Sequence, residues 1–184
     1  MTDRELLELA AKAAGMVGYD ASTGAMTWLR KPDSAKDSAR WNSRYAGKPC
    51  GTIDDKGYRR ILFRFERGSV FRVRAHRLAW FVVHGCLPSG EIDHINQDKL
   101  DNRLVNLRDV PKELNQRNGT RKSNNTSGVT GVTWHKQSGK WCAQASVNGK
   151  HYHIGSFEEI VAAETATLKF RAEHGFTTNH GRIV

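Results

Sequence analysis

Asp93 stands directly before His94, and two side-chain amides, Asn106 and Asn115, follow in the next stretch of chain. One carboxylate, one imidazole and two amides can hold a hard divalent cation and deprotonate a water beside it. Neutral imidazole suits the base role, because its ordinary pKa of about 6.5 keeps it unprotonated near neutrality. These residues also lie in an acidic island. From Glu91 to Glu113 six acids (Glu91, Asp93, Asp98, Asp101, Asp109, Glu113) face four bases (Lys99, Arg103, Arg108, Lys112). The chain as a whole carries a net charge of +10 over 184 residues. Positive walls around a negative pocket are what a metal-dependent phosphodiesterase acting on a polyanion requires.

The elements that must position this set can be read around it. His76 to His84 reads as a helix closed by Gly85 and Pro88, with Leu78, Phe81 and Val82 as its core residues. Glu91 to Ile95 reads as a strand, Leu104 to Val110 contains a second, and Lys112 to Arg117 begins a helix. Asp98, Asp101 and Asn102, between the strands, are read as turn formers. Val110-Pro111 replaces the usual Ser or Thr cap, which a first helical turn tolerates.

With the lead-in AHRLAW, the block DHINQDKLDNRLVNLR and the tail NQRN, the stretch from about Tyr19 to Asn118 resembles the HNH, or His-Me finger, nucleases. The variant it resembles is that of phage- and intron-encoded homing endonucleases. The resemblance implies a ββα-metal finger with His94 as general base, Asn106 pinning the loop and helping to orient that base, and Asp93 and Asn115 as metal ligands. Asn115 stands where other members of the wider group carry histidine. Oxygen ligands there favour Mg2+, or Mn2+, over zinc. His76 has two readings: a satisfied core histidine one turn from Trp80, or a neighbour of the active site.

Upstream, Thr2 and Glu5 have capping-box spacing ahead of a helix to about Gly15, and Tyr19 to Trp28 reads as a hairpin around Ser22-Thr23-Gly24. Arg30 to Pro49 is polar and reads as a loop, with Trp41 and Tyr45 either anchoring it or meeting DNA. Gly57–Phe65 and Val70–Arg74 alternate apolar and basic residues across a Glu66-Arg67-Gly68 turn, a two-stranded ribbon with one cationic face. Lys56 to Gly90 holds eight Lys and Arg against the single acid Glu66. Arg59, Arg72, Arg74 and Arg77 are taken from it as a phosphate track.

Asn118 to Ser127 has no apolar residue and reads as a linker. Beyond it, Val129–His135, Lys140–Val147 and Lys150–Ile154 read as strands, the last two joined by an Asn148-Gly149 hairpin turn. Ser156 and Glu159 have cap spacing before a helix with Ile160, Ala163, Thr167 and Phe170 on one stripe. Ser127-Gly-Val-Thr-Gly-Val-Thr-Trp134, Gly139-Lys-Trp141 and Ile154-Gly-Ser-Phe157 resemble the plant APETALA-type (ethylene-response-factor) DNA-binding domain. That resemblance implies a three-stranded sheet laid in the major groove with a helix behind it. Thr130 and Thr133 replace its usual arginines and His153 its usual tryptophan, so base-reading roles do not carry over. Candidate contacts are Trp134, Lys136, Lys140, Trp141, Gln144, Lys150, His151 and His153, of which alternation lets about half face a groove. Trp141 can instead support the sheet from behind. No acid occurs from Leu114 to Phe157, which favours backbone contact.

Composition bounds the rest. Cys50, Cys86 and Cys142 are isolated, which argues against structural zinc and against a disulfide framework and reads as three buried small hydrophobes in a reducing compartment. No signal peptide or membrane-spanning segment is read, and the expected location is the cytoplasm of a bacterium or a phage-infected host. The expected architecture is α+β: a ββα-metal finger with a preceding ribbon and helix over 1–118, a linker over 119–127, and a three-stranded antiparallel sheet plus helix over 128–184. The expected activity is metal-dependent endonuclease cleavage of double-stranded DNA. One finger means that a monomer nicks, whereas a double-strand break needs a homodimer or a second encounter. The alternative is a non-catalytic DNA-binding regulator, with an RNA-binding protein ranked last.

Overall fold

The structure, a computed structural model, describes residues 2–65 and 68–181. It is a mixed α+β chain whose contacts divide it into two compact units, Met1–Val110 and Pro111–Val184. The expected turn at Glu66-Arg67-Gly68 lies, apart from its glycine, outside the described residues.

The first unit opens with α1 (Asp3–Ala14), begun by a complete capping box: the Thr2 side chain accepts from the Glu5 amide, and the Glu5 carboxylate accepts from the Thr2 amide. Strands β1 (Val17–Tyr19) and β2 (Met26–Trp28) form the expected hairpin. The stretch read as loop contains a helix, α2 (Ser38–Tyr45). Its polar residues hid it, but Trp41 packs edge-on to Trp28 at 5.8 Å and Asn42 bonds both the N–H and the carbonyl of Lys31. Tertiary anchors, rather than an apolar stripe, hold this helix.

The basic ribbon is three-stranded. Strand β3 (Thr52–Ile53) pairs with β4 (Arg59–Arg64), which pairs with β5 (Val70–Arg74). Period-two alternation puts Ile61, Phe63 and Phe71 into the core and leaves Arg60, Leu62, Arg64 and Arg72 on the open face. Helix α3 (Ala75–His84) follows and is closed by Gly85 in the left-handed conformation. Its Leu78 and Phe81 are buried as expected, but Val82 is 37% exposed because it falls off the buried stripe. These residues share one core with Ala10, Met26, Cys50, Ile92 and Leu107. Each large apolar side chain buried there stabilises by about 1.5–3 kcal/mol. Strands β6 (Glu91–His94) and β7 (Leu107–Val110) complete the unit, pairing antiparallel with His94 opposite Leu107 and Asp93 opposite Arg108. The second strand lies within the expected Leu104–Val110 stretch, and Leu104–Asn106 ahead of it is a turn of 3-10 helix.

The second unit begins with α4 (Lys112–Gln116) and contains the sheet β8 (Val132–His135), β9 (Lys140–Val147), β10 (Lys150–Phe157) and the helix α5 (Ile160–Glu173). Asn148 and Gly149 both have positive φ, 51° and 77°, as a two-residue hairpin turn demands. Strand β10 runs on to Phe157, so Ser156 pairs with Cys142 rather than capping α5; Glu159 takes the cap position without a side-chain bond. The polar stretch read as a linker is tied down locally. Asn118 is buried and accepts from Thr177, Gly119 accepts from the Gly181 amide, and the Ser127 hydroxyl lies 2.6 Å from the Val132 carbonyl. The three cysteines are free, but only Cys50 is buried; Cys86 is exposed at the end of α3 and Cys142 is partly exposed on the open side of the sheet. Among the described residues no helix is long and apolar enough to cross a membrane.

Candidate active site

Asp93 and His94 end β6, and β7 presents Arg108 directly across from the carboxylate. Both Arg108 Nε and Nη2 converge on Asp93 Oδ2, at 2.9 and 2.7 Å. Asp93 is only 5% exposed, and a carboxylate that deep needs a partner of this kind. His94 is equally buried, and its Nε2 lies 3.2 Å from Asn102 Oδ1. Burial holds the His94 pKa below the ordinary histidine value, while the Asn102 bond and the carboxylates of Asp93, Asp98 and Asp101 oppose it. The net effect favours the neutral ring, the form a base needs.

The loop between the strands is built from amides. Asn106 donates to Asn96 Oδ1 and to the Asp101 carbonyl, and accepts from the Asn96 amide, all at 2.8–2.9 Å. Asn96 in turn donates to Asp101 Oδ2 at 2.7 Å. The Arg103 guanidinium, hydrogen-bonded to Asp101, pulls that carboxyl down to about 2. Asn106 therefore pins the loop, and Asn102, within the same loop, lies in hydrogen-bond contact with His94. Sequence reasoning read Asn102 as a turn former. Nothing local distinguishes it, since its placement depends on a hairpin some eighty residues upstream, where Tyr19 donates to its carbonyl at 2.7 Å.

His76, on the first turn of α3, is 5% exposed and packs edge-on against His94, ring centroids 5.0 Å apart. The two readings of His76 thus meet: it is a buried histidine and also a neighbour of His94. Desolvation above all, then the His94 ring and the Arg74 and Arg77 cations, push its pKa down to about 3, with Asp54 opposing. Tyr58 closes this cluster, 5.1 Å from His76 and 6.0 Å from His94, under the Arg74 guanidinium and the Lys99 ammonium.

Asn115 lies on α4 in the second unit. Among the described residues no group of three or more His, Cys, Asp or Glu side chains is placed to hold a metal. The donor set expected here is of another kind, carboxylate and amide oxygen, and fits a hard dication. Because both guanidinium bonds fall on one oxygen of Asp93, ion binding there has to coexist with Arg108 or displace it.

The candidate phosphate contacts are distributed unevenly. Arg72 is exposed on the open face of the three-stranded sheet, Arg74 reaches across to Asp54, and Arg77 stands on α3. Arg59 is on the other side of β4 and bonds the Cys50 carbonyl at 3.3 Å; alternation puts Arg60 and Arg64 on the open face instead. In the second unit, Lys140, Gln144, His151 and His153 share the face away from α5, while Lys136 stands exposed in the turn after β8. Trp134 and Trp141 are cross-strand partners on the α5 side, 5.0 Å apart, with Trp141 packed on the core and Trp134 47% exposed. Lys150 is also on that side, over the Tyr152 ring.

Residues 73–117, which contain this site, match the family model described as HNH endonuclease. The chain is also 38% identical over 93 residues to "Protein 3.8" of Escherichia phage T7, an alignment covering 48% of this chain and 76% of the relative. The chain belongs to the protein 3.8 family. Its HNH endonuclease domain is the segment from the end of β5 to the end of α4. A solved structure titled "DNA binding and cleavage by the HNH homing endonuclease I-HmuI" aligns over 56% of this chain and 51% of its own, with 26% identity and a TM-score of 0.39. The chain thus spans about half the length of that endonuclease.

Proposed function

We propose that this protein is a DNA endonuclease of the homing type that hydrolyses a phosphodiester bond with His94 as general base and one divalent ion, Mg2+ or Mn2+. The observation that carries this reading is the buried Asp93–His94 pair inside the HNH match, with the carboxylate held by Arg108 and the imidazole bonded to Asn102 and kept neutral by burial. His94 takes the proton of the attacking water. Asp93 and Asn115 are the oxygen ligands of the ion, which neutralises charge building on the phosphate and its leaving oxygen. Asn106 holds the loop that follows His94 in one shape.

Net charge and the arginine face of the first unit support double-stranded DNA as the polymer. The sheet of the second unit, read as APETALA-type, offers Lys140, Gln144, His151 and His153 to a groove, with residues 1–118 cutting and 128–184 positioning. Trp134, Trp141 and Lys150 serve the sheet from the other side. The test is supercoiled plasmid incubated with and without Mg2+, using the wild type and His94→Ala. Metal-dependent nicking by the wild type, lost in a variant that still binds DNA, is expected. Undiminished nicking by folded His94→Ala would remove His94 as the base.

A further inference from the structure

We infer that the cleft between α2, β2 and the free edge of β4 is a nucleobase-binding site, which takes one unstacked base of a DNA strand together with the phosphate beside it. This rests on the reading of DNA as the polymer and adds a subsite outside the His94 centre.

The walls of the cleft are aromatic and its rim is cationic. A cavity of about 410 Å³ opens between these elements, with Trp28, Lys31, Trp41, Tyr45, Leu62 and Arg64 in its lining. That size falls within the roughly 300–1,000 Å³ of small-molecule sites. Packing uses only part of the aromatic set. Trp28 stands edge-on to Trp41 at 5.8 Å and to Phe63 at 5.3 Å, which fixes it as the floor. Trp41 and Tyr45, one turn apart on α2, have ring centroids 5.5 Å apart, and Tyr45 is 39% exposed. Aromatic rings at the mouth of a cleft are stacking platforms, since every base has a π-face. Among the described residues no acid lines the cavity, and its two charged residues, Lys31 and Arg64, are both cations. The Lys31 ammonium lies 5.0 Å from the Trp41 ring centroid, so positive charge stands beside the stacking surface, as a base carrying its phosphate demands.

The edge of β4 supplies directional groups. Strand β3 pairs only with Arg59 and Arg60, so among the described residues no strand pairs with Leu62 to Arg64 on that side. The ladder with β5 fixes which main-chain groups face this edge. The Phe65 amide donates to the Ser69 carbonyl, which makes these two a hydrogen-bonded pair, and such pairs alternate along an antiparallel ladder. Phe63 therefore bonds β5, while the N–H and C=O of Leu62 and Arg64 point to the open edge beside the cavity. Each of these residues offers one donor and one acceptor side by side. The Watson–Crick edge of a base carries the same two functions, and proteins that take a base out of the stack hold it by that edge and by aromatic stacking. A strand from another protein could use the same edge, but the two cations and the aromatic surface favour a base with its phosphate.

The test compares DNA with and without bases, using the full-length protein in EDTA so that nothing is cut. By fluorescence anisotropy the wild type is expected to bind an oligothymidylate about fivefold to a hundredfold more tightly than an abasic oligomer of equal length. Tyr45→Ala, at the mouth of the cleft, is expected to lose most of that preference while melting like the wild type. Irradiating the wild type with an oligothymidylate carrying 5-iodouracil needs no variant to fold, and is expected to attach the base to Trp41 or Tyr45. Equal affinity for the two oligomers, an unchanged preference in folded Tyr45→Ala, or crosslinks confined to other residues overturns the inference. Sedimentation showing a wild-type dimer that Tyr45→Ala converts to a monomer gives the cleft to a second copy of this chain and overturns it as well. The nuclease reading fails on a separate readout, absence of metal-dependent plasmid nicking by the wild type.

Discussion

Acid should destabilise the first unit through His76 before its carboxylates titrate. The ring is buried under Tyr58 and against His94, with Arg74 and Arg77 adding positive potential and Asp54 opposing. Its pKa is about 3 in the folded protein, against 6.5 ordinarily. Between those values the unfolded chain binds a proton that the folded chain refuses, so stability falls as pH falls. The contribution is fully present above about pH 6.5, and between about pH 7 and pH 5 His76 alone removes about 2 kcal/mol. His94, shifted in the same direction, adds to the slope. His180 in the second unit, pushed down to about 4 by burial, imposes its own acid dependence, so a global melt mixes the two. Native-state hydrogen exchange at the Ile61 and Phe63 amides, corrected for intrinsic rates, isolates the core beside His76. His76→Phe removes the titrating group and should flatten the pH dependence by about 1.4 kcal/mol per pH unit below about pH 6. An equally steep slope in the variant would show that His76 does not carry the effect.

Asp93→Asn keeps the shape but removes the charge shared with Arg108, and should raise the Mg2+ concentration needed for nicking sharply; unchanged metal dependence would place the ion elsewhere. Replacing Arg60 and Arg64 together by Gln should flatten log K against log[salt] by up to about 1.8 if each meets a phosphate, at about 0.9 per contact. Arg59→Gln, whose side chain is turned to the Cys50 carbonyl, should leave the slope unchanged; the reverse pattern would refute the facing of β4. Gly24→Ala combines a φ of +73° with backbone contacts at 2.6 Å, and should cost about 1–3 kcal/mol in the first unit. A wild-type melting profile would show that the hairpin turn does not press on the Asn102 loop.

Several elements were legible because their signals are local. Alternation marked β4 and β5, Gly85 marked the end of α3, and Asn148-Gly149 marked the turn between β9 and β10. What could not be read depends on partners far along the chain. Helix α2 has no apolar stripe and is held by Trp28 and Lys31. Strand β3 is two residues long and exists only through its pairing with β4. Arg59 and Arg60 are neighbours in one basic run, and only register tells which faces out. Ser156 and Glu159 fit a capping box by spacing, but pairing with Cys142 keeps Ser156 in the sheet.

The loop from Ile95 to Asn106 illustrates why amides suit such a site. It carries few apolar groups to bury, so packing cannot fix its shape, and ordering each residue's backbone costs about 1–2 kcal/mol. Ion pairs alone would fix it poorly, since charge attraction is weakly directional and screened near the surface. Asn96, Asn102 and Asn106 instead donate and accept at once, each joining a loop position to another part of the loop or to the strand-end histidine. Each such side chain fixes a direction as well as a distance. Placing Asn102 beyond reach of solvent then lets one neutral hydrogen bond hold His94 without adding a charge beside it. The carboxylate next door is held separately, by both Nε and Nη2 of Arg108.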